Sequence, residues 1–217
     1  GAVLRHKPAM RFLSCLLFLI APLTTFGEEL TSLNTLEQVT PFGAVGRVNV
    51  EGGGFCTGTL VSPRLVLTAG HCLFDEDGSP VSPDRLEFFA GFTNGRAKAY
   101  RRIAKTAVHP DFEFAATLTA DRIKNDLALL VLSREVKNPT ITPFAILPVS
   151  ESDSVDVVSY AHDRAEAASL QSNCAMIAQT EGALVFDCIA DFGTSGAPVI
   201  MQTETGPGLL SVISAKA

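Results

Sequence analysis

The sequence predicts an all-β fold built as two small antiparallel barrels, and three observations predict it. From Pro41 onward the apolar residues fall in strand-length runs separated by Gly, Pro, Asn, Asp and Ser, with hardly any 3.6-residue period. The first half holds about six such runs, enough to close one small barrel. A polar stretch, Arg134-Glu135-Val136-Lys137-Asn138-Pro139-Thr140, then interrupts the pattern, and the same texture resumes after it. The expected division is a leader over 1–27, a first barrel over 28–135 and a second over 136–217. At 217 residues, 47% apolar and 18% charged, the chain can bury cores for one large domain or two small ones.

At the amino end, Met10-Arg11 precedes an apolar run over 12–23, the length of a signal-peptide core and too short to span a bilayer. Translation is expected to start at Met10. Thr25 and Gly27 flank bulky Phe26, which places cleavage near Gly27; a buried core helix is the alternative reading of the run. The product is expected to be secreted or periplasmic, monomeric, and without membrane attachment once the signal is removed. Cleavage takes away Arg5, Lys7, Arg11 and no acid, moving the formal net charge from −6 to −9 and disfavouring nucleic acid and anionic membranes as partners. It also takes away Cys15. Cys56, Cys72, Cys174 and Cys188 remain, an even set that predicts two disulfides with three connectivities open. Zinc is the other use of such residues, but no C-x-x-C or H-E-x-x-H spacing is present, so neither a metal nor a cofactor is expected.

First-half strands are predicted over 44–50, 55–61, 65–69, 86–92, 97–108 and 127–132. Gly52-Gly53-Gly54 reads as a hairpin turn rather than a phosphate loop, because no Lys-Ser/Thr or helix start follows it. Asp75-Glu76-Asp77-Gly78 is too short for an EF-hand and reads as a solvated turn. Second-half strands are predicted over 155–160, 175–179, 184–189, 197–202 and 209–214, about five where a closed barrel wants six. Only 22 residues follow Ser195, so the second barrel is expected to be incomplete at its carboxyl end, with an aggregation-prone edge beside Leu209. His109 and His162 read as surface imidazoles, and Asp163-Arg164-Ala165-Glu166 as solvated surface.

Three stretches carry chemistry. In Gly193-Thr194-Ser195-Gly196-Ala197-Pro198-Val199, two glycines let the backbone turn sharply around a serine before the chain returns to a strand. A serine hydroxyl is a weak nucleophile near neutral pH and needs a base beside it and a group to orient that base. Upstream, Leu65-Val66-Leu67-Thr68-Ala69-Gly70-His71-Cys72 runs an apolar strand into a histidine, and Asn125-Asp126-Leu127-Ala128-Leu129-Leu130 opens an apolar run with an acid. An acid there must find donors, and an imidazole N–H is one. No histidine follows Ser195, which removes an α/β-hydrolase elbow from consideration.

In the order His71, Asp126, Ser195, these stretches resemble the TAxHC, DxALL and GxSGxP blocks of the trypsin-like (chymotrypsin-type) serine proteases. The likeness covers roughly Pro41 to the last residue and is similar to the bacterial trypsin-like peptidases, secreted enzymes that include the glutamyl endopeptidases. The resemblance implies two six-stranded Greek-key barrels and a serine endopeptidase acting on polypeptides through a Ser-His-Asp triad; a catalytically silent binder on the same fold is the alternative. It implies an oxyanion hole at Gly193 and Ser195, a bond from Ser214 to Asp126, and substrate pairing along Ser214, Ala215 and Lys216. It also implies a specificity pocket floored by Ile189 and Ala190, and disulfides Cys56–Cys72 and Cys174–Cys188. The chain departs from the family at Thr194, where zymogen-activated members carry an aspartate, and over 40–46, which lacks their apolar-apolar-Gly-Gly start. Ile189 and Ala190 supply no acid for a basic P1 residue. Lys216 could attract an acidic one, but the histidine and threonine of glutamyl enzymes correspond here to Ile213 and Ala190.

Overall fold

The structure, a computed structural model, describes residues 30–115, 117–148, 154–180 and 182–214. The predicted leader, Ala215 and Lys216 lie outside the described residues. Thirteen strands are described: β1 Thr31–Ser32, β2 Val45–Val50, β3 Phe55–Ser62, β4 Leu65–Thr68, β5 Leu86–Ala90, β6 Ala99–Val108, β7 Ala128–Leu132, β8 Ala145–Ile146, β9 Ser154–Ala161, β10 Arg164–Thr180, β11 Ala183–Phe186, β12 Pro198–Thr203 and β13 Gly206–Val212. Two short helices join them, α1 at Leu36–Val39 and α2 at Ala120–Asn125.

Strands β2 to β7 close into an antiparallel barrel in the order β2-β3-β4-β7-β6-β5. Alternation makes it close. In β5, Leu86, Phe88 and Ala90 point inward and Glu87 outward, and in β7 Ala128, Leu130 and Leu132 are buried while Leu129 is exposed. The near-continuous apolar run at 127–132 is therefore half-buried, not buried on both faces. These side chains meet Val45, Val48, Leu60 and Val66 in one core, each of the larger ones contributing roughly 1.5–3 kcal/mol by leaving water. The expected acidic turn is tied down, with Arg85 donating twice to Asp75 and Ser79 donating backbone and hydroxyl protons to Asp77.

The second half forms a seven-stranded sheet along β1-β10-β9-β12-β13-β8, with β11 beside β10, and this path is open among the described residues. Three details differ from the sequence expectation. The strand predicted at 175–179 is the tail of the 17-residue β10, which begins in the stretch read as solvated surface and bends at two register shifts against β9. Thr31–Ser32, from the amino end, pairs with Leu170 and Ser169 of β10. The edge beside Leu209 is partly covered, because β8 pairs in parallel with β13 at Gly208 and Leu209. One core spans the seam: Tyr160, Val158, Ile200 and Phe144 pack in the same cluster as the barrel interior. The buried Tyr160 hydroxyl donates to the Phe92 carbonyl across that seam, and burial pushes its phenol well above the ordinary value.

Both cysteine pairs are bonded, Cys56 to Cys72 and Cys174 to Cys188, closing separations of 16 and 14 residues. Loops of that size correspond to about 3 kcal/mol each in the chain-entropy model. A strong reductant should therefore lower the melting temperature measurably, and superimposable melting curves with and without it would contradict the account. His71, Cys56 and Cys72 also lie close enough together to suggest a metal cluster, but both sulfurs are spent in the disulfide and offer no thiolate. Among the described residues no helix is long and apolar enough to cross a membrane.

Candidate active site

His71 is held from both sides. Strand β4 ends at Thr68, a one-turn 3-10 segment at Gly70–Leu73 presents the imidazole, and the neighbouring Cys72 is bonded back to β3. Asp126 sits between the end of α2 and the start of β7, fully buried. Its carboxylate accepts the His71 backbone N–H at 2.7 Å and faces His71 Nδ1 at 2.7 Å, and it also accepts the Ser214 hydroxyl. Burial alone would raise this carboxyl. The imidazole, Ser214 and backbone donors outweigh that and hold it below the usual carboxylate range. With Nδ1 so occupied, Nε2 is the free ring nitrogen; it approaches Cys72 Sγ at 3.9 Å.

Ser195 lies in the loop between Cys188 and β12, half-buried. It shares the lining of a cavity of about 760 Å³ with His71 and Gly193, but among the described residues its hydroxyl makes no hydrogen bond, to His71 or to anything else. Gly193 and Gly196 are glycines of necessity. Gly193 has φ +99° and a Cβ there would stand 2.4 Å from the Phe55 ring; at Gly196, φ +77°, it would stand 2.1 Å from Thr68 Oγ1.

The N–H groups of the loop are paired with one pattern of exceptions. Asp191 N donates to Thr194 Oγ1, Phe192 N to Asp191 Oδ1, Thr194 N to the Asp191 carbonyl, Gly196 N to Ile213 and Ala197 N to Thr194. Among the described residues only Gly193 and Ser195, in the stretch 191–197, keep an N–H without a partner. Two unpaired N–H groups, one of them the serine's own, can receive a negative oxygen. Thr194, at the position where zymogen-activated members of the resembled family carry an aspartate, is buried, and its hydroxyl accepts the Asp191 N–H to cap the turn.

On the other side of Ser195 a cavity of about 230 Å³ is lined by Ala190, Asp191, Phe192, Thr194, Ser195, Ile213 and Ser214. It shares Ala190, Thr194, Ile213 and Ser214 with a larger one of about 630 Å³. Ile189 lines only the larger cavity and is 51% exposed, with its N–H on Gln171 Oε1. Sequence reasoning missed Asp191 and Phe192, which line the cavities on both sides of Ser195; Phe192 is 82% exposed. Their proximity to Ser195 in the chain was the available signal. His162, read as a surface imidazole, is exposed but stacks on Phe55 within the cavity of about 760 Å³ that His71 and Ser195 line, and Asp163 lines the same cavity.

The family model described as Trypsin matches residues 37–216. Venom serine protease 34 of Apis mellifera is 29% identical over 119 residues, which are 52% of this chain and 29% of that protein, so the match spans under a third of the relative's length. A solved Glu endopeptidase in complex with MPD superposes with a TM-score of 0.70 at 16% identity, covering 87% of this chain and 86% of the other. A thermostable serine protease from an extremophilic microorganism superposes with a TM-score of 0.66 at 17% identity, covering 82% and 87%. At these identities the two structures speak to the fold alone.

Proposed function

Since this chain belongs to the trypsin family, we propose that it is a serine endopeptidase that cleaves polypeptides through an acyl-enzyme on Ser195. The observation that carries the reading is one cavity wall shared by Ser195, Gly193 and a His71 imidazole whose Nδ1 is tied to buried Asp126. Ser195 Oγ attacks the scissile carbonyl carbon while His71 Nε2 takes the hydroxyl proton. Asp126 fixes the tautomer and stabilises the imidazolium. The carbonyl oxygen, now an anion, is received by the N–H groups of Gly193 and Ser195, a contribution on the order of 3 kcal/mol per donor in comparable sites. His71 then returns the proton to the leaving amine as the C–N bond breaks, and water, deprotonated by the same imidazole, hydrolyses the ester. Two disulfides and the negative charge support a secreted or periplasmic protein acting as a monomer, in the domain division given above except that Thr31–Ser32 pairs into the second sheet.

For specificity, the cavity beside Ser195 is walled by Ala190 and Ile213, and among the described residues its one charged side chain is Asp191, with Oδ1 accepting the Phe192 N–H. Asp191 disfavours an acidic P1 residue; being exposed, with Oδ1 engaged by the Phe192 N–H, it also offers a basic one no buried partner. Small or medium apolar P1 residues are therefore expected to be cleaved fastest in a peptide library. Preferred cleavage after Arg or Lys would overturn this assignment, and cleavage after Glu would point to Lys216. The function itself is tested by an organophosphonate probe on wild type and Ser195→Ala. Labelling of wild type alone, with peptide turnover, is expected; labelling without turnover would leave a binding protein.

A further inference from the structure

Resting on that peptidase reading, we infer that Thr57, a residue of the first barrel remote in sequence from the nucleophile loop, is the positioning residue of the oxyanion hole. Peptide groups are rigid planes, so an N–H is aimed by whatever holds the carbonyl of its own plane and by the planes on either side. The planes carrying the Gly193 and Ser195 N–H groups have their carbonyls taken by the N–H groups of His162 and Ala197, at 2.8 and 2.9 Å. The alternate planes are clamped at both ends. At their N–H ends Thr194 donates to Asp191 and Gly196 to Ile213; at their carbonyl ends the partner is in both cases Thr57. Its hydroxyl donates to the Gly193 carbonyl at 2.8 Å and its backbone N–H to the Ser195 carbonyl at 2.8 Å.

The roles of that hydroxyl are fixed by chemistry. The Gly193 carbonyl can only accept, and the Tyr160 N–H, 3.1 Å away, can only donate, so the one hydroxyl proton points at the loop. Thr57 is fully buried, and its own carbonyl accepts the Thr68 hydroxyl at 2.8 Å, so the clamp is itself held. It joins β3, β9 and the loop at the seam between the two halves. A clamp is needed because Gly193 stands at φ +99°, where a glycine has many other conformations within reach. The plane that follows it meets the plane carrying the Gly193 N–H at the Gly193 Cα, so a following plane free to swing leaves that N–H aimed by its own carbonyl bond alone. Thr57 touches no substrate; it acts through the Gly193 and Ser195 peptides.

The test compares wild type, Thr57→Val, which keeps the shape and loses the hydroxyl, and Thr57→Ser, which restores it. With a peptide p-nitroanilide carrying an apolar P1 residue, Thr57→Val should lower kcat by about tenfold or more, short of the 10²–10³ for outright loss of a donor, with KM changed by less than about twofold. Affinity for a peptidyl aldehyde, whose adduct places an anion in the hole, should fall in parallel with kcat. Thr57→Ser should recover most of both. A merely structural role would lower the melting temperature without separating kcat from KM or aldehyde from product-peptide affinity, and that result overturns the inference, as does an unchanged kcat in Thr57→Val. Should Thr57→Val fail to fold, Thr57→Ala, whose smaller side chain leaves room for the same groups to hydrate, reads the same split. A wild-type protein with neither turnover nor phosphonate labelling refutes the peptidase reading and this inference with it, a failure distinct from an active wild type whose Thr57 variants are unimpaired.

Discussion

Ser195→Ala and His71→Ala should each remove nearly all peptide turnover, on the order of 10⁶-fold in kcat, and the double variant should lose little more than either alone. The reason is the shared proton. Without His71 the Ser195 hydroxyl has no base to receive its proton, and without Ser195 the base has nothing to activate, so removing the second partner removes nothing further. A loss of that size is about 8 kcal/mol of transition-state stabilisation. The measurement is kcat and KM for the three variants against wild type, with melting curves to show that they fold. Losses that multiply would mean that the two residues serve separate steps and that the triad assignment is wrong. Some rate above the uncatalysed reaction should survive in all three, because the N–H pair at Gly193 and Ser195 is untouched.

Asp126→Asn should cost roughly 10⁴-fold in kcat with little change in KM. The substitution keeps the size of a fully buried group that takes two donors from His71 and one from Ser214, so the local packing can persist. What changes is the proton. An amide can turn its NH₂ toward Nδ1, which then becomes the acceptor and puts the ring proton on Nε2, where it cannot take a proton from Ser195. The same variant carries a stability signature. Asp126 is held below its ordinary value of 3.8, so its ionised form stabilises the fold above that value, and the contribution is lost as pH falls through the lower folded-state value. Denaturation measured from neutral pH down through the carboxylate range should show a flatter acid limb in Asp126→Asn than in wild type. Equal acid limbs, or an Asn variant of near-normal kcat, would remove Asp126 from its proposed role.

Several parts of the fold were legible because their causes are local. Leu86-Glu87-Phe88-Phe89-Ala90 alternates as a half-buried strand must, and Val45–Val50 and Phe55–Ser62 follow within a residue or two of the expected bounds. Strand β10 was harder. Its β-branched residues, Ile177 and Thr180, fall in its last four positions, so propensity marked only the tail. The rest, rich in Ala and Ser, is a strand because β9 and β1 lie on either side of it. Helix α2 escaped notice because six residues are too few to show a period, although Thr119 caps it by accepting the Arg122 N–H.

By itself the sequence determined the strand pattern of the first barrel, the even cysteine set from Cys56 onward and the candidate serine, histidine and aspartate, all of which depend on residue type and near-neighbour spacing. Only the tertiary structure decided which loop N–H groups stay unpaired among the described residues, which carbonyls Thr57 holds from 136 and 138 residues away, and that Asp191 and Phe192 border both cavities at Ser195. The physical reason is that a backbone N–H carries no side-chain signature, so any residue but proline could occupy the Ser195 carbonyl, and the Thr57 hydroxyl reaches the Gly193 carbonyl only when the barrel and the second sheet close on each other.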